Sequence, residues 1–226
     1  MEFEFWVFNS VMPIHVLDDD LWFPAVEDAR DDGLLAIGGD LGAERLLLAY
    51  SNGIFPWFNE DEPPLWWSPD PRFVLFPEEL KVSKSMQRLI KQGRFEFRID
   101  TAFEAVITNC SKAPREGQDG TWISHEVIAA YTALHRLGYA HSAEAWRDGE
   151  LVGGLYGVLL GKVFFGESMF SMESNASKFA FINWVEVLKG YGVVLIDCQV
   201  FTEHLESLGA LMVSRAGFID IISANT

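Results

Sequence analysis

Apolar residues along this chain follow a helical period in some stretches and alternate in others, and the punctuation between those stretches marks the elements. Ala43 to Asn52 reads as a short helix halted by Gly53. Ser83 predicts the cap of a helix running to Gln92 before Gly93, and Thr101 and Glu104 have the spacing of a capping box for another. Ser124 predicts the cap of a longer helix ending near Leu137, with Gly138 placed to accept positive φ. Then come YAHSAEAW, ELVGGLYGVLL and VFFGESMF, joined by Asp148-Gly149 and Gly161-Lys162, dipeptides suited to tight hairpins; three consecutive antiparallel strands are expected. A helix from about Asn175 to Lys189 carries Phe181, Ile182, Val185 and Leu188 at core spacing, and VVLIDCQV follows as a mostly buried strand.

One stretch obeys neither period. From Gly53 to Arg72, GIFPWFNEDEPPLWWSPDPR mixes large rings with prolines and acids, and it reads as a rigid crossover packed between two parts. The division expected is therefore a small N-terminal domain with this aromatic crossover, residues 1–70, and a larger domain of mixed α/β pattern, residues 71–226.

The same patterns locate candidate chemistry. Asp197 and Gln199 end the apolar run of VVLIDCQV two positions apart, which on a regular strand is one face. Buried carboxylate and amide groups require hydrogen-bond partners, so polar groups gathered there point to a site or to a satisfied structural network. Glu167 of FFGESMF is expected at a strand end just before a helix. Gly153, Gly154, Gly157 and Gly161 interrupt the neighbouring strand, which marks either room for a ligand or a sharply twisted hairpin.

Composition narrows the field. With 226 residues, 49% hydrophobic and 22% charged, the chain can bury a substantial core. The opening MEFEFWVF carries acids where a secretory leader carries bases, and no apolar run approaches the roughly 20 residues that span a bilayer; a cytoplasmic protein is expected. Five histidines without HExxH spacing and two separated cysteines supply no zinc motif, so no metal is expected. GxxxxGK[ST], GxGxxG and GxSxG are also missing. Cys198 sits in an apolar run, where an inert, buried thiol is expected. The net charge of −16 argues against non-specific binding along nucleic acid, yet Lys81 to Arg98 holds six bases and a single acid. Such a strip is either a solvated helix face or the footprint of one localised anionic partner.

GLLAIGGDL, GIFPWF, LWWSPDPR, GTWIS, ELVGGLYGV, FGESMFS, NASK and IDCQV, in that order from Gly33 onward, resemble the leucyl/phenylalanyl-tRNA–protein transferases. The resemblance implies a catalytic domain with the mixed sheet and helices of the GCN5-related acetyltransferases, preceded by the small N-terminal domain. It also implies an enzyme that moves Leu or Phe, and less well Met, from aminoacyl-tRNA to the N-terminal Arg or Lys of acceptor proteins, marking them for degradation. No cofactor is implied, and a monomer is expected. No acetyl-CoA pyrophosphate loop of the [QR]xxGx[GA] type occurs, in keeping with a tRNA donor.

Residue by residue, the resemblance assigns Trp57 and Trp122 to stacking on the terminal adenosine, with Tyr50 and Phe55 beside them and Trp66 and Trp67 packing the crossover. It assigns Leu155, Phe164, Met169, Phe181, Trp184 and Ile196 to the pocket for the aminoacyl side chain. Gln199, oriented by Asp197, would receive the attacking amine, while Glu167 would hold polar parts of the substrates. Lys84, Arg88, Lys91 and Arg94 would meet acceptor-stem phosphates, and the surrounding acids would attract the cationic acceptor. Two other readings share these features: an acyl-CoA-dependent N-acyltransferase, and a non-catalytic module that binds aminoacyl-tRNA or N-terminal peptides.

Overall fold

The computed structural model describes residues 14–113 and 121–226; the MEFEFWVF opening and Gly120 of the GTWIS block lie outside them. Two sheets organise the described residues. The first contains β1 (His15–Leu17), β2 (Leu34–Gly38), β3 (Phe55–Pro56) and β4 (Leu65–Trp67), in the order β1-β2-β4-β3, with α1 (Ala43–Ser51) between β2 and β3. The aromatic crossover is thus partly sheet, because its two short strands pair Phe55 with Trp67 and Pro56 with Trp66. Strands of two and three residues are too short to display alternation. Trp66 is fully buried and donates its indole N–H to the Gly38 carbonyl at 2.9 Å, while Trp67 donates to the Trp57 carbonyl at 2.6 Å. Both rings therefore fix the crossover through the backbone as well as by packing.

The second sheet has the order β11-β5-β10-β9-β8-β7-β6. Its strands are β5 (Arg72–Leu75), β6 (Glu96–Ile99), β7 (Ala140–Arg147), β8 (Glu150–Leu160), β9 (Val163–Ser171), β10 (Leu195–Gln199) and β11 (Leu211–Val213). The three expected hairpin strands β7, β8 and β9 pair antiparallel, and Asp148 and Gly149 both take positive φ in the first turn. Helix α5 (Ala176–Gly190) carries the chain from β9 to β10, so those two strands run parallel and the sheet is mixed.

Alternation along the strands builds two cores on opposite faces. Tyr156, Phe165 and Leu195 face α3 (Phe103–Lys112), α4 (His125–Arg136) and the first sheet, whereas their neighbours Leu155, Phe164 and Ile196 face α2 (Lys84–Lys91) and α5. The first core continues into the N-terminal sheet through Leu35 and Trp66. It is closed by Phe218 and Ile222 of α7 (Arg215–Ser223), which come so near Gly53 (φ +71) that a Cβ there would lie 2.9 Å from the Phe218 ring.

Ser83 and Ser124 cap α2 and α4 through Met86 N–H and Val127 N–H, as their spacing predicts. The capping box at Thr101 is not formed. Glu144, fully buried on β7, instead accepts from the Thr101 hydroxyl, the Ala102 N–H, the Ser142 hydroxyl and the Trp146 indole, and so caps α3 from another strand. A buried carboxylate needs several donors, and this demand outweighs the local cap. The glycines of β8 serve packing within the protein. A Cβ on Gly153 would lie 2.5 Å from that of Ala176 at the start of α5, and one on Gly157 would lie 2.2 Å from the Phe165 carbonyl oxygen.

Candidate active site

Two β-bulges aim the polar groups of the site. On β9, Ser168 pairs with Tyr156 and Gly166 with Gly157, which leaves Glu167 as the extra residue. On β10, Asp197 pairs with Val74 and Gln199 with Phe73, which leaves Cys198. A bulge bends a strand and redirects its side chains, and neighbouring strands bulged at the same level turn both toward one place. Glu167 therefore lies in the middle of β9 and not at its end. Nor do Asp197 and Gln199 share a face by simple alternation: Gln199 adopts φ +63, and its backbone N–H folds back onto Asp197 Oδ1 at 2.9 Å. Asp197 thus orients Gln199 through the main chain.

The Gln199 side-chain amide donates to Glu167 Oε1 at 3.0 Å, and among the described residues no donor hydrogen-bonds its carbonyl oxygen. Glu167 Oε1 also accepts from the Tyr50 hydroxyl at 2.8 Å, and Oε2 from the Tyr131 hydroxyl at 2.9 Å; the two tyrosine hydroxyls hydrogen-bond each other. Burial raises the Glu167 pKa to about 7; the phenolic hydrogen bonds oppose the shift, and the charge of Asp197 adds to it. Burial also pushes both phenols well above the usual tyrosine range, reinforced by the Glu167 charge. Asp197 has no exposure and is gripped by Arg72, Nε to Oδ1 at 2.8 Å and Nη2 to Oδ2 at 2.7 Å.

These groups open on a cavity of about 640 Å³. Leu155, Phe164, Met169, Phe181 and Ile196 line it with apolar surface, and Trp57, Trp122, Glu167 and Gln199 line it as well. Trp184 does not reach the cavity. It lies one layer behind, 2% exposed, with its ring edge-on to Phe164 at 5.5 Å, so it sets the position of a wall residue. Cys198 also borders the cavity, but burial drives its thiol well above the ordinary range and leaves it protonated. His204 lines the rim, and burial together with the charge of Lys178 holds its pKa below the usual value.

The basic strip lies on and just after α2, which packs on α5, itself the source of Phe181. Lys84, Arg88 and Lys91 are exposed, and among the described residues no carboxylate forms an ion pair with them. Arg94 differs, since its guanidinium binds Glu173 at 2.9 Å. Its charge is already partly answered within the protein.

For three residues central to this geometry, the sequence gives no sign of the partners they take. Tyr131 looks like an ordinary core position of α4. Tyr50 stands out only by its proximity to the aromatic segment. Arg72 heads a strand of otherwise apolar residues, the one charge there, and a charge so placed must find a buried partner.

An apolar recess, two indoles and an amide–carboxylate cluster share one cavity, and the class of the molecule, a transferase, follows from the sequences it matches. Residues 39–70 match the N-terminal domain, and residues 74–223 the main domain, of leucyl/phenylalanyl-tRNA protein transferase; the chain belongs to that family. It is 54% identical over 214 residues to the leucyl/phenylalanyl-tRNA–protein transferase of Syntrophobacter fumaroxidans, covering 95% of this chain and 92% of that one. To the enzyme of the same name from Nitrosospira multiformis it is 57% identical over 204 residues, 89% and 88% of the two chains. Among solved structures, that of L-PGS from Bacillus licheniformis is similar only at a TM-score of 0.41 and 11% identity, over 76% of this chain and 57% of that one, too slight a likeness to bear on function.

Proposed function

We propose that the protein moves Leu or Phe, and less well Met, from aminoacyl-tRNA to the N-terminal Arg or Lys of acceptor proteins, acting as a cytoplasmic monomer whose products enter the N-degron pathway. The observation that carries this reading is that Trp57, Trp122, the apolar wall and the Glu167–Gln199 pair all border one cavity. Stacked between or against the indoles, the terminal adenosine would lay its aminoacyl side chain along Leu155, Phe164, Met169, Phe181 and Ile196 and its ester carbonyl near Gln199. The exposed bases of α2 would receive acceptor-stem phosphates, which position a nucleic acid without reading its sequence.

The chemistry asked of such a site is modest. An aminoacyl ester is already activated, so its attack by an amine needs no nucleotide, and holding both partners in register can supply about 7–11 kcal/mol. The side-chain carbonyl oxygen of Gln199 accepts a hydrogen bond from the attacking amine and orients its lone pair. An apolar wall separates side chains by shape alone, worth about 1–3 kcal/mol per methylene, which accounts for leakage to Met.

The test is direct. Purified protein, Leu-charged tRNA and an Arg-initiated peptide are mixed without nucleotide, and the peptide is expected to gain the mass of one leucyl residue. A peptide left unchanged by charged tRNA but acetylated from a CoA thioester overturns the proposal in favour of an acyl-CoA enzyme. Binding of both substrates without transfer overturns it in favour of a recognition module.

A further inference from the structure

Tyr50, Tyr131 and Glu167 close a ring of three oxygen-to-oxygen contacts: Tyr50 with Tyr131, Tyr50 with Glu167 Oε1, and Tyr131 with Glu167 Oε2. Each contact needs one proton, and each phenol has one to give. With Glu167 ionised the ring holds two protons for three contacts, and two oxygens face each other with nothing between them. With Glu167 protonated the ring is complete and runs head to tail: Oε2–H to Tyr131, Tyr131 to Tyr50, Tyr50 to Oε1, which also accepts from Gln199. The arrangement is a vacancy for a single proton.

From this geometry we infer that Glu167, closed into a ring with Tyr50 and Tyr131, takes the proton that the incoming α-ammonium must lose before it can attack. The inference rests on the aminoacyl-transfer reading above and extends it. An α-amine has a pKa of about 7.7–8.0, so at neutral pH most acceptors arrive as ammonium, which has no lone pair to attack with. Glu167 is half-buried and borders the cavity, within reach of a group seated at Gln199. The carboxylate takes one ammonium proton and becomes the carboxylic acid, and the amine is left neutral. Its lone pair then forms the C–N bond at the ester carbonyl; the C–O bond to the ribose breaks, and the departing oxygen receives the second nitrogen proton. Glu167 returns its own proton to water after the product leaves.

The groups facing Glu167 suit this task. Tyr50 comes from α1, Tyr131 from α4 with Tyr156 of β8 edge-on behind it, and Gln199 and Asp197 from β10; Arg72 of β5 is occupied by Asp197. Among the described residues no Lys, Arg or His forms an ion pair with Glu167 to hold it permanently ionised. Burial and the Asp197 charge set its pKa at about 7, near that of the amine it would serve.

Infrared spectroscopy of wild-type protein carrying carboxyl-labelled glutamate reads the ring itself. In the wild-type-minus-Glu167→Gln difference spectrum, which cancels the other glutamates, a carboxylic acid C=O band is expected at pH 6 and fades with a midpoint of about 7. A difference band whose midpoint lies in the ordinary carboxylate range, or no difference band at all, overturns the inference. Single-turnover transfer reads the role: the Glu167→Gln deficit is expected to be on the order of 10-fold or less at pH 6.5, where roughly one acceptor in twenty is already neutral, and to shrink above pH 8, where free amine is abundant. A deficit equal at every pH overturns the role even if the band is found. If wild-type protein transfers nothing, the broader reading fails and the role falls with it, while the infrared midpoint still reports the ring.

Discussion

Arg72 and Asp197 form a two-pronged ion pair at 2.8 and 2.7 Å with essentially no solvent on either side chain, and the Phe55 and Phe218 rings lie 4.6 and 4.7 Å from the guanidinium carbon. The pair joins β5 to β10, and the rings bring in β3 and α7, so it ties both sheets to the turn at Gln199. Removing one member leaves the other as a lone buried charge, a change that costs about 3–5 kcal/mol. Arg72→Met is therefore expected to lower the unfolding free energy by about that amount in urea titrations. The double variant Arg72→Met/Asp197→Asn, in which no orphaned charge remains, is expected to be more stable than Arg72→Met alone. A double variant less stable than the single would show that the pair is not the source of the loss.

Glu167 makes stability depend on pH in a particular direction. Its folded pKa of about 7 lies above the ordinary carboxylate value of 4.5, so between those values the folded chain binds the proton more tightly than the unfolded chain does. The stabilisation is complete below about pH 4.5 and is lost as pH rises through about 7. Glu167→Gln, which cannot ionise, is expected to gain on wild type by on the order of 2–3 kcal/mol between pH 5 and pH 8. Urea midpoints of the two proteins at both pH values measure the difference, in which the other carboxylates cancel. A gap that stays constant, or closes as pH rises, contradicts the raised pKa.

Local chemistry made much of the fold legible. Ser83, Ser124 and the Asp148-Gly149 turn act on residues within a few positions, so their consequences can be read along the chain. The bulges at Glu167 and Cys198 cannot, because a bulge is a property of two paired strands and leaves each sequence looking like an ordinary strand. The same limit explains Thr101, drawn from its expected cap by Glu144 some forty residues away, and Tyr131, whose hydroxyl partners come from α1 and β9. The resemblance supplied the apolar wall as a set of positions but not as a layer, which is why Trp184 falls behind Phe164 and not beside it. Within the site, the polar members visible in sequence were those that end or interrupt apolar runs; Tyr50, Tyr131 and Arg72 blend into theirs.

Trp57 and Trp122 occupy different structural settings, and their variants should separate stacking from packing. Trp57 is half-buried with its ring 6.0 Å from that of Trp67, whereas Trp122 is 9% exposed and belongs to the first core. Loss of one aromatic platform for a base costs about 1–3 kcal/mol, so Trp57→Ala should weaken binding of an aminoacyl-adenosine mimic by roughly 5- to 150-fold with little change in unfolding. Trp122→Ala should show the same binding loss together with reduced stability, because it also empties core volume. Trp57→Phe retains a π-face and should recover most of the affinity. Equal affinity in the Ala and Phe variants of Trp57 would remove stacking from the account.

The bases around α2 are not equivalent, and salt dependence should distinguish them. Lys84, Arg88 and Lys91 are exposed without an ion-pair partner among the described residues, while Arg94 is held by Glu173, which Arg147 also binds at 2.8 Å. Each phosphate contact releases condensed counterions and contributes roughly 0.7–0.9 to the slope of log affinity against log salt. Reversing Arg88 and Lys91 to Glu should therefore weaken tRNA binding and flatten that slope by roughly 1.5 if both touch phosphate. Arg94→Gln should change the slope much less, because its charge is already spent on Glu173. A slope unchanged by the double reversal would make the strip a solvated face, and a large effect from Arg94 alone would mean that tRNA draws its guanidinium away from Glu173.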